Sequence, residues 1–189
     1  MILFNIRNTI LIYAALFLLQ FVAPPSAPAQ ESSGREYAIK AAFIYNFVKF
    51  VKWPERELRP SGNLTLCVTG ADPFGPALEK LAEKSKTAEN KLIVQRAVNP
   101  DGAAQCHIVF VGGPDGGHLE RVLDAVRGKP VLTVGDTPGF AHKGVAINFF
   151  IEDNKVRFEI NVGATRRSGL AVSSELLNLA RIVEGGSGK

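Results

Sequence analysis

The order of sequence patterns predicts a single three-layer α/β domain, with a mixed sheet of about six strands and helices on both faces. The patterns run helix, strand, helix, strand, strand, helix, three strands, helix. The run 106–111, CHIVFV, is continuously apolar, which is typical of a strand covered on both faces. The runs 145–151 and 156–161 alternate with a period of two, which predicts a C-terminal antiparallel hairpin.

Residues 1–29 predict a secretory signal peptide, followed by one domain over residues 30–189. Arg7 is the only charged residue of this segment, an apolar run follows it, and Ala27-Pro28-Ala29 offers a small-residue cleavage pattern. Because the apolar run is short for a bilayer span, we expect cleavage near Gln30 and no stable membrane insertion afterwards. An uncleaved anchor is the alternative.

The charge balance gives no support for nucleic-acid binding. The chain has 22 Lys and Arg, of which Arg7 lies in the predicted signal peptide, against 18 Asp and Glu. The remaining excess of positive charge is small, and the basic residues form no clustered patch. We therefore predict no nucleic-acid partner.

The first predicted helix covers residues 36–53 and ends before Pro54. Its apolar residues recur at helical spacing and predict one broad buried stripe. The stripe consists of Ile39, Phe43, Phe47 and Phe50, widened by Ala42, Ile44 and Val51. Lys40, Lys49 and Lys52 on the polar side leave a membrane-surface role open, but core packing is the favoured interpretation.

The elements that follow alternate between strands and helices. The predicted strands are 64–69, 91–98, 106–111 and 131–135, with a turn at 99–102. The predicted helices are 74–85, with Leu78 and Leu81 inward, and 118–127, with Leu119, Val122, Leu123 and Val126 inward and Gly128 as the C-terminal cap. Ser173-Ser174-Glu175 begins a last helix that bears Leu176, Leu177, Leu179, Ala180 and Val183.

The hairpin has a predictable register. Asp153-Asn154 is typical of a two-residue primed turn, because Asp and Asn tolerate positive φ angles. This turn predicts an apolar ladder on one face, formed by the pairs Ile151/Val156, Phe149/Phe158 and Ile147/Ile160. On the other face it predicts the pairs Phe150/Arg157 and Asn148/Glu159.

Cys67 and Cys106 are the only cysteines, and both lie in the part predicted to be exported. An oxidising compartment favours a disulfide between them. The alternative is two buried thiols on neighbouring strands, since cysteine is among the most frequently buried residues.

No catalytic, metal or nucleotide-binding motif is convincing. The loop 112–117, GGPDGG, joins a strand to a helix but matches neither phosphate-loop spacing. His107, His118 and His142 have no metal-ligand spacing, and Asp136, His142 and Ser168 have only the residue types of a triad. We predict no enzyme activity, no metal and no cofactor.

The polar face of the hairpin is the remaining candidate site. Asn148, Phe150, Arg157, Glu159 and Asn161 are predicted to share it, a mixture of aromatic, Arg and amide groups that suits a partner interface. A solvated sheet face, or one covered by a helix, is the equal alternative.

Over residues 37–183 the chain resembles the YfiR family of small periplasmic proteins. The segments that carry the resemblance are KAAFIYNFVKFVKWP, LCVTGADPFGPALEKL, CHIVFV, PVLTVGDTPGFAHKGVAINFF, NKVRFEIN and SGLAVSSELLNLA, in that order. The resemblance implies an α/β domain without enzymatic activity, which inhibits a membrane diguanylate cyclase by binding its periplasmic sensor region. Envelope signals would thereby reach cyclic di-GMP levels and biofilm formation.

The cysteines depart from the family pattern. Cys67 and Cys106 match one pair of the family, but a second pair, which would fall at about 141–148, is absent. Redox switching that depends on the second pair is therefore not implied for this chain.

Our leading hypothesis is a periplasmic, non-catalytic regulator that binds such a receptor through the polar face of the hairpin and the turn Arg166-Arg167-Ser168. The predicted partner-binding residues are Asn148, Phe150, Arg157, Glu159, Asn161, Arg166, Arg167 and Ser168. The alternative is a periplasmic module for a small ligand, bound at the strand ends near Gly70-Ala71-Asp72 or Gly112-Gly113. A homodimer is left open.

Overall fold

The computed structural model describes residues 28–54, 62–85 and 91–184. The predicted signal peptide lies almost entirely outside these residues and stays a prediction. The chain divides into two units, Met1–Ser32 and Ser33–Lys189. The packing described below is that of the second unit.

Five α-helices and nine strands are described. The helices are α1 (Pro28–Phe50), α2 (Ala77–Ser85), α3 (Gly116–Ala125), α4 (Val162–Arg167) and α5 (Ser174–Leu179), with a 3-10 helix at Pro100–Gln105. The strands are β1 (Val51–Lys52), β2 (Leu64–Gly70), β3 (Leu92–Gln95), β4 (Ile108–Gly112), β5 (Leu132–Gly135), β6 (Ile147–Glu152), β7 (Lys155–Asn161), β8 (Ala171–Val172) and β9 (Arg181–Val183).

Seven strands form one mixed sheet in the order β3-β2-β4-β5-β6-β7-β9. The first five of this order are parallel, β7 is antiparallel to β6, and β9 is parallel to β7. The short strands β1 and β8 form a separate antiparallel pair. The predicted α/β class is confirmed, and the sheet has one strand more than about six.

Helices cover both faces because successive side chains of each strand point to opposite faces. Ile108 and Phe110 of β4 pack in one apolar cluster with α1 and α2. Val109 and Val111 of the same strand pack in a second cluster with Leu119 and Val122 of α3. The continuous apolar run of β4 therefore reflects burial on both faces, as predicted.

The buried stripe of α1 differs from the prediction. Lys40, Ala41, Ile44 and Phe47 are buried, whereas Ile39 is 45% exposed. The buried face is fixed by Phe47, whose ring centroid lies 5.8 Å from that of Phe149 and 5.2 Å from that of Phe158. Apolar residues occur on several sides of this helix, so their spacing alone did not identify the inward face.

The end of α1 was also predicted wrongly. The helix stops at Phe50, and Val51 and Lys52 leave it as β1 to pair with Val172 and Ala171. The apolar character of Val51 therefore serves a strand contact. Pro54 therefore does not end the helix, which stops four residues before it.

The C-terminal region holds three elements that the sequence did not predict, α4, β8 and β9. Asn161 caps α4 by accepting a hydrogen bond from the backbone N–H of Ala164. The last helix, α5, is capped by Ser173 as predicted but ends at Leu179. Val183 then lies in β9, where it is paired with Asn161 of β7.

The hairpin has the predicted register in full. Phe149 is paired with Phe158, Asn148 with Glu159, and Phe150 with Arg157. Asp153 has φ 49° and Asn154 has φ 57°, so both turn residues adopt the left-handed region that a primed two-residue turn requires.

Cys67 and Cys106 form the disulfide that the sequence favoured, with a Cα–Cα distance of 6.0 Å. Cys67 lies in β2 and Cys106 two residues before β4. The bond therefore ties two neighbouring strands of the sheet, whose register places Cys67 beside Val109.

Candidate functional site

A cavity of about 760 Å³ opens at the carboxyl ends of the parallel strands. Ala71 follows β2, Gly113 follows β4, and Asp136 follows β5, and all three line it. β2 has β3 on one side and β4 on the other, so the strand order reverses between β2 and β4. Ligands of open α/β sheets bind outside the carboxyl ends of the strands at such a point. This is the region that the ligand-binding alternative named.

At the base of the cavity, the backbones at the ends of β2 and β4 approach each other closely, with no side chains between them. The Ala71 N–H donates to the Gly112 carbonyl over 3.2 Å. A side chain at Gly112 would collide with the Ala71 carbonyl, and one at Gly70 would collide with the Gly112 carbonyl. Glycine is therefore required on both strands for this close approach.

A buried ion-pair cluster forms one wall of the cavity. Lys40 of α1 is 3% exposed, and its Nζ lies 2.7 Å from Asp136 Oδ2 and 2.6 Å from Glu36 Oε1. The Tyr37 hydroxyl donates to the same Asp136 oxygen over 2.9 Å. The cluster joins α1 to the residue that follows β5, and both of its carboxylates bond the Lys40 ammonium.

The environment of Tyr37 keeps its hydroxyl protonated. Burial raises the pKa of the phenol well above its ordinary value. The hydrogen bond to Asp136 and the negative charges of Asp136 and Glu36 raise this pKa further. Tyr37 therefore remains a donor to Asp136 throughout the physiological range.

A second polar pair lies across the cavity, on β6 and β7. Asn148 is 1% exposed, and its Nδ2 donates to the Thr137 carbonyl over 3.1 Å and to Glu159 Oε1 over 3.2 Å. Its Oδ1 has no hydrogen-bond partner among the described residues. Glu159 is 8% exposed, and its described side-chain partner is this amide.

The outer end of the hairpin is open and carries an ordered Arg. Arg181 of β9 stacks its guanidinium 4.1 Å from the centroid of the Phe150 ring, and its Nη2 lies 2.5 Å from Glu152 Oε1. Arg157, paired with Phe150 in the register, is exposed beside them. We call Phe150, Arg157 and Arg181 the hairpin patch.

The structure divides the predicted partner-binding residues into three groups. Phe150 and Arg157 lie on the open outer end of the hairpin. Asn148, Glu159 and Asn161 share the same sheet face but are buried within the protein. The Asn161 Nδ2 donates to the Ala141 carbonyl over 2.8 Å, so this residue holds the loop before β6 as well as α4.

The third group, Arg166, Arg167 and Ser168, lies at the other end of β7. It belongs to α4 and its C-terminal cap, which follow the last residue of β7. Arg167 and Ser168 line a different cavity of about 470 Å³, together with residues of α3. The hairpin and this turn therefore do not form one continuous surface.

The sequence did not predict the roles of two residues of the site, Lys40 and Arg181. Lys40 was placed on the polar side of α1, and its partner Asp136 is 96 positions away. Arg181 was placed in the last helix. A short β-branched run, Ile182-Val183, was the available signal for β9, and three residues are too few to separate a strand from a helix end.

Two of the histidines and the Gly-rich loop have structural partners. His118 Nε2 lies 2.9 Å from Thr69 Oγ1, and His107 Nδ1 accepts from the Thr65 N–H over 3.1 Å. The Asp115 side chain accepts the Gly117 N–H over 2.9 Å at the start of α3. Among residues 28–54, 62–85 and 91–184, no group of three or more His, Cys, Asp or Glu side chains is placed to hold a metal ion.

The part of the chain that the structure describes contains no helix with both the length and the apolar character needed to cross a membrane.

One solved structure shares the fold at low sequence identity. The ABC domain from Streptococcus pneumoniae, crystallised in complex with L-Trp, superposes with a TM-score of 0.51 and 8% identity, over 78% of this chain and 60% of that one. A conserved domain protein from Vibrio cholerae gives 0.48 and 10%, over 77% and 59%. The chain thus spans about three fifths of these structures, and the first likeness concerns the fold alone.

A family comparison covers nearly all of the candidate site, with Glu36 outside the matched range. The model of the YfiR/HmsC-like family matches residues 37–181, a range that begins at Tyr37 of the ion-pair cluster and ends at Arg181 of the hairpin patch. This range includes nearly all of the sheet, in agreement with the resemblance seen in the sequence. The chain therefore belongs to the YfiR/HmsC-like family.

Proposed function

We propose that the protein is a non-catalytic periplasmic regulator that binds the periplasmic sensor region of an inner-membrane diguanylate cyclase and holds the cyclase inactive. The observation that carries the proposal is the family match over residues 37–181. Inhibition by binding requires a partner surface rather than catalytic groups. We assign this surface to the hairpin patch.

The hairpin patch has the chemistry of an interface centre. Arg and aromatic residues dominate the binding energy of protein interfaces. The Arg181 guanidinium is already ordered by Phe150 and Glu152, so its immobilisation on binding costs little entropy. Arg157 is exposed and has no ion-pair partner among the described residues, which leaves it available for a carboxylate of the receptor.

The other predicted partner-binding residues have different roles from those of the hairpin patch. Asn148, Glu159 and Asn161 support the hairpin from inside and make no direct contact with the receptor. Arg166, Arg167 and Ser168 are candidates for a separate contact, since they lie at the opposite end of β7. The two surfaces are therefore tested separately.

The immobilised protein is first used to capture the cyclase from membranes of the source cell. The test then measures the affinity of purified variants for the periplasmic domain of that cyclase. We expect Arg157→Ala or Phe150→Ala to weaken binding at least about tenfold, with the melting temperature nearly unchanged for Arg157→Ala. Arg121→Ala is the matched control, because its side chain is exposed on α3 and lines neither cavity. If Arg157→Ala and Phe150→Ala bind like the parent, the hairpin patch is not the interface; weakening by Arg166→Ala instead would move it to α4.

Ligand binding in the cavity is a second candidate function. The observation that favours it is the location of an open cavity at the reversal of strand order, with polar groups converging from α1, β5, β6 and β7. Native mass spectrometry of protein purified without denaturation would show a ligand as a mass addition that disappears on unfolding. This function is compatible with the first, since a ligand that prefers one state shifts the affinity for a partner.

A further inference from the structure

Glu159 has a buried carboxyl group that no cation of the described residues pairs with. Its Oε1 accepts a hydrogen bond from the neutral Asn148 amide, and no ion pair to it is formed within the described residues. Arg181 is its neighbour in the strand register, yet the Arg181 guanidinium bonds Glu152 and stacks on Phe150. A carboxylate that is buried without a cation is costly unless a ligand completes the site.

The other charges around the cavity make it more acidic. Three carboxylates line it, from Glu36, Asp136 and Glu159, against the cations of Lys40 and Arg181. Lys40 is shared by Glu36 and Asp136, and Arg181 is paired with Glu152 outside the lining. The lining therefore has one more carboxyl group than cations, and the electrostatics of the cavity favour a positive ligand.

Asn148, the hydrogen-bond partner of Glu159, has an unsatisfied group of its own. Both N–H bonds of its amide are used, on Thr137 and Glu159, while the buried Oδ1 has no partner. A buried acceptor without a donor costs about 1–3 kcal/mol. The amide therefore orients the Glu159 carboxylate, while its own Oδ1 is left without a hydrogen-bond donor.

The remaining walls suit an apolar, flat ligand body. The rings of Tyr37 and Phe150 line the cavity together with Pro73, Pro138 and Ile151. The volume of about 760 Å³ is that of a typical small-molecule site. One face of the Tyr37 ring already holds the Lys40 ammonium, and one face of the Phe150 ring holds the Arg181 guanidinium. These rings therefore supply apolar surface to the cavity rather than a site for the cation.

We propose that this cavity binds a small organic cation, in which a protonated amine pairs with the Glu159 carboxylate and an apolar body packs between Tyr37 and Phe150. The inference rests on the second candidate function, ligand binding, and defines the class of ligand. It does not depend on the partner-binding proposal.

Three probes of nearly equal size test the charge requirement: 2-phenylethylamine, 2-phenylethanol and 3-phenylpropionate, which are positive, neutral and negative at pH 7. Titrations of the purified protein followed by NMR report both affinity and the amides that shift. We expect the amine to bind at least about tenfold more tightly than the other two and to shift amides of β6 and β7.

Glu159→Gln keeps an acceptor for the Asn148 amide but removes the charge, so it should abolish the preference for the amine. Glu120→Gln, on the exposed side of α3, is the matched control and should keep the preference. Because the three probes are compared on the unaltered protein, the test stands even if Glu159→Gln fails to fold.

The outcomes separate the inference from the function on which it rests. If the alcohol or the acid binds in the cavity as tightly as the amine, the charge inference is wrong and ligand binding stands. If none of the probes shifts amides of the cavity, both are rejected, while the regulator proposal keeps its own test.

Discussion

Lys40 is a buried cation whose removal would leave two carboxylates without their partner. Its Nζ lies within 2.7 Å of Asp136 and 2.6 Å of Glu36. Lys40→Met keeps the length and the apolar stem but removes the charge. We expect the free energy of unfolding to fall by about 3 kcal/mol, because breaking a buried pair strands the opposite charge. Urea unfolding at pH 7 measures this loss.

Two further variants separate charge from packing at this residue. Lys40→Met combined with Asp136→Asn should recover part of the loss, because the stranded carboxylate is then neutral. Lys49→Met, an exposed position of the same helix, should change stability by no more than about 0.5 kcal/mol. A Lys40→Met variant as stable as Lys49→Met would show that the cluster does not stabilise the fold.

At the scale of elements, the disulfide ties β2 to the segment that enters β4 across a sequence separation of 39 residues. In the chain-entropy model a closure of this length stabilises the fold by about 4 kcal/mol. We expect the variant with Cys67→Ala and Cys106→Ala to lose stability of that order in urea unfolding. The control is the parent protein after its disulfide has been reduced in the unfolded state and the protein has been returned to native conditions. It lacks the bond but retains both cysteine side chains. A loss below about 1 kcal/mol in both proteins would contradict the prediction.

Local patterns were sufficient to predict the hairpin and insufficient to predict its surroundings. The register follows from the alternation of apolar and polar residues and from the turn Asp153-Asn154. Both signals lie within residues 145–161. The inward face of α1 and the existence of β9 depend instead on contacts with distant residues, such as Phe149 for Phe47 and Asn161 for Val183. Tertiary contacts of this kind override local propensity.

The candidate site shows the same division. Its location near Ala71 and Gly113 was predictable, because strand ends at a reversal of order are a general place for ligands. The Lys40–Asp136 pair was not, since nothing local in either segment indicates the other. Arg181 became visible only when β9 placed it beside Phe150.

At the scale of the whole molecule, the strands of the sheet differ in how deeply they are buried. Every residue of β4 and β5 is buried, and each strand has a neighbour on both sides. β9 is an edge strand of three residues, of which Arg181 and Ile182 are exposed. The strand that orders the hairpin patch is therefore among the least covered of the sheet.

This arrangement predicts a gradient of backbone hydrogen exchange from the centre of the sheet to its edges. Amides of Ile108–Gly112 and Leu132–Gly135 should exchange only with global unfolding, whereas those of Arg181–Val183 should exchange by local opening, at least about 100-fold faster. Edge strand β3, Leu92–Gln95, is the internal comparison, because it also has a neighbour on one side only. Exchange followed by mass spectrometry on proteolytic fragments measures all three regions in one sample. Equal protection of β9 and β4 would show that the C-terminal strand unfolds with the centre of the sheet, so that Arg181 is held as firmly as the core.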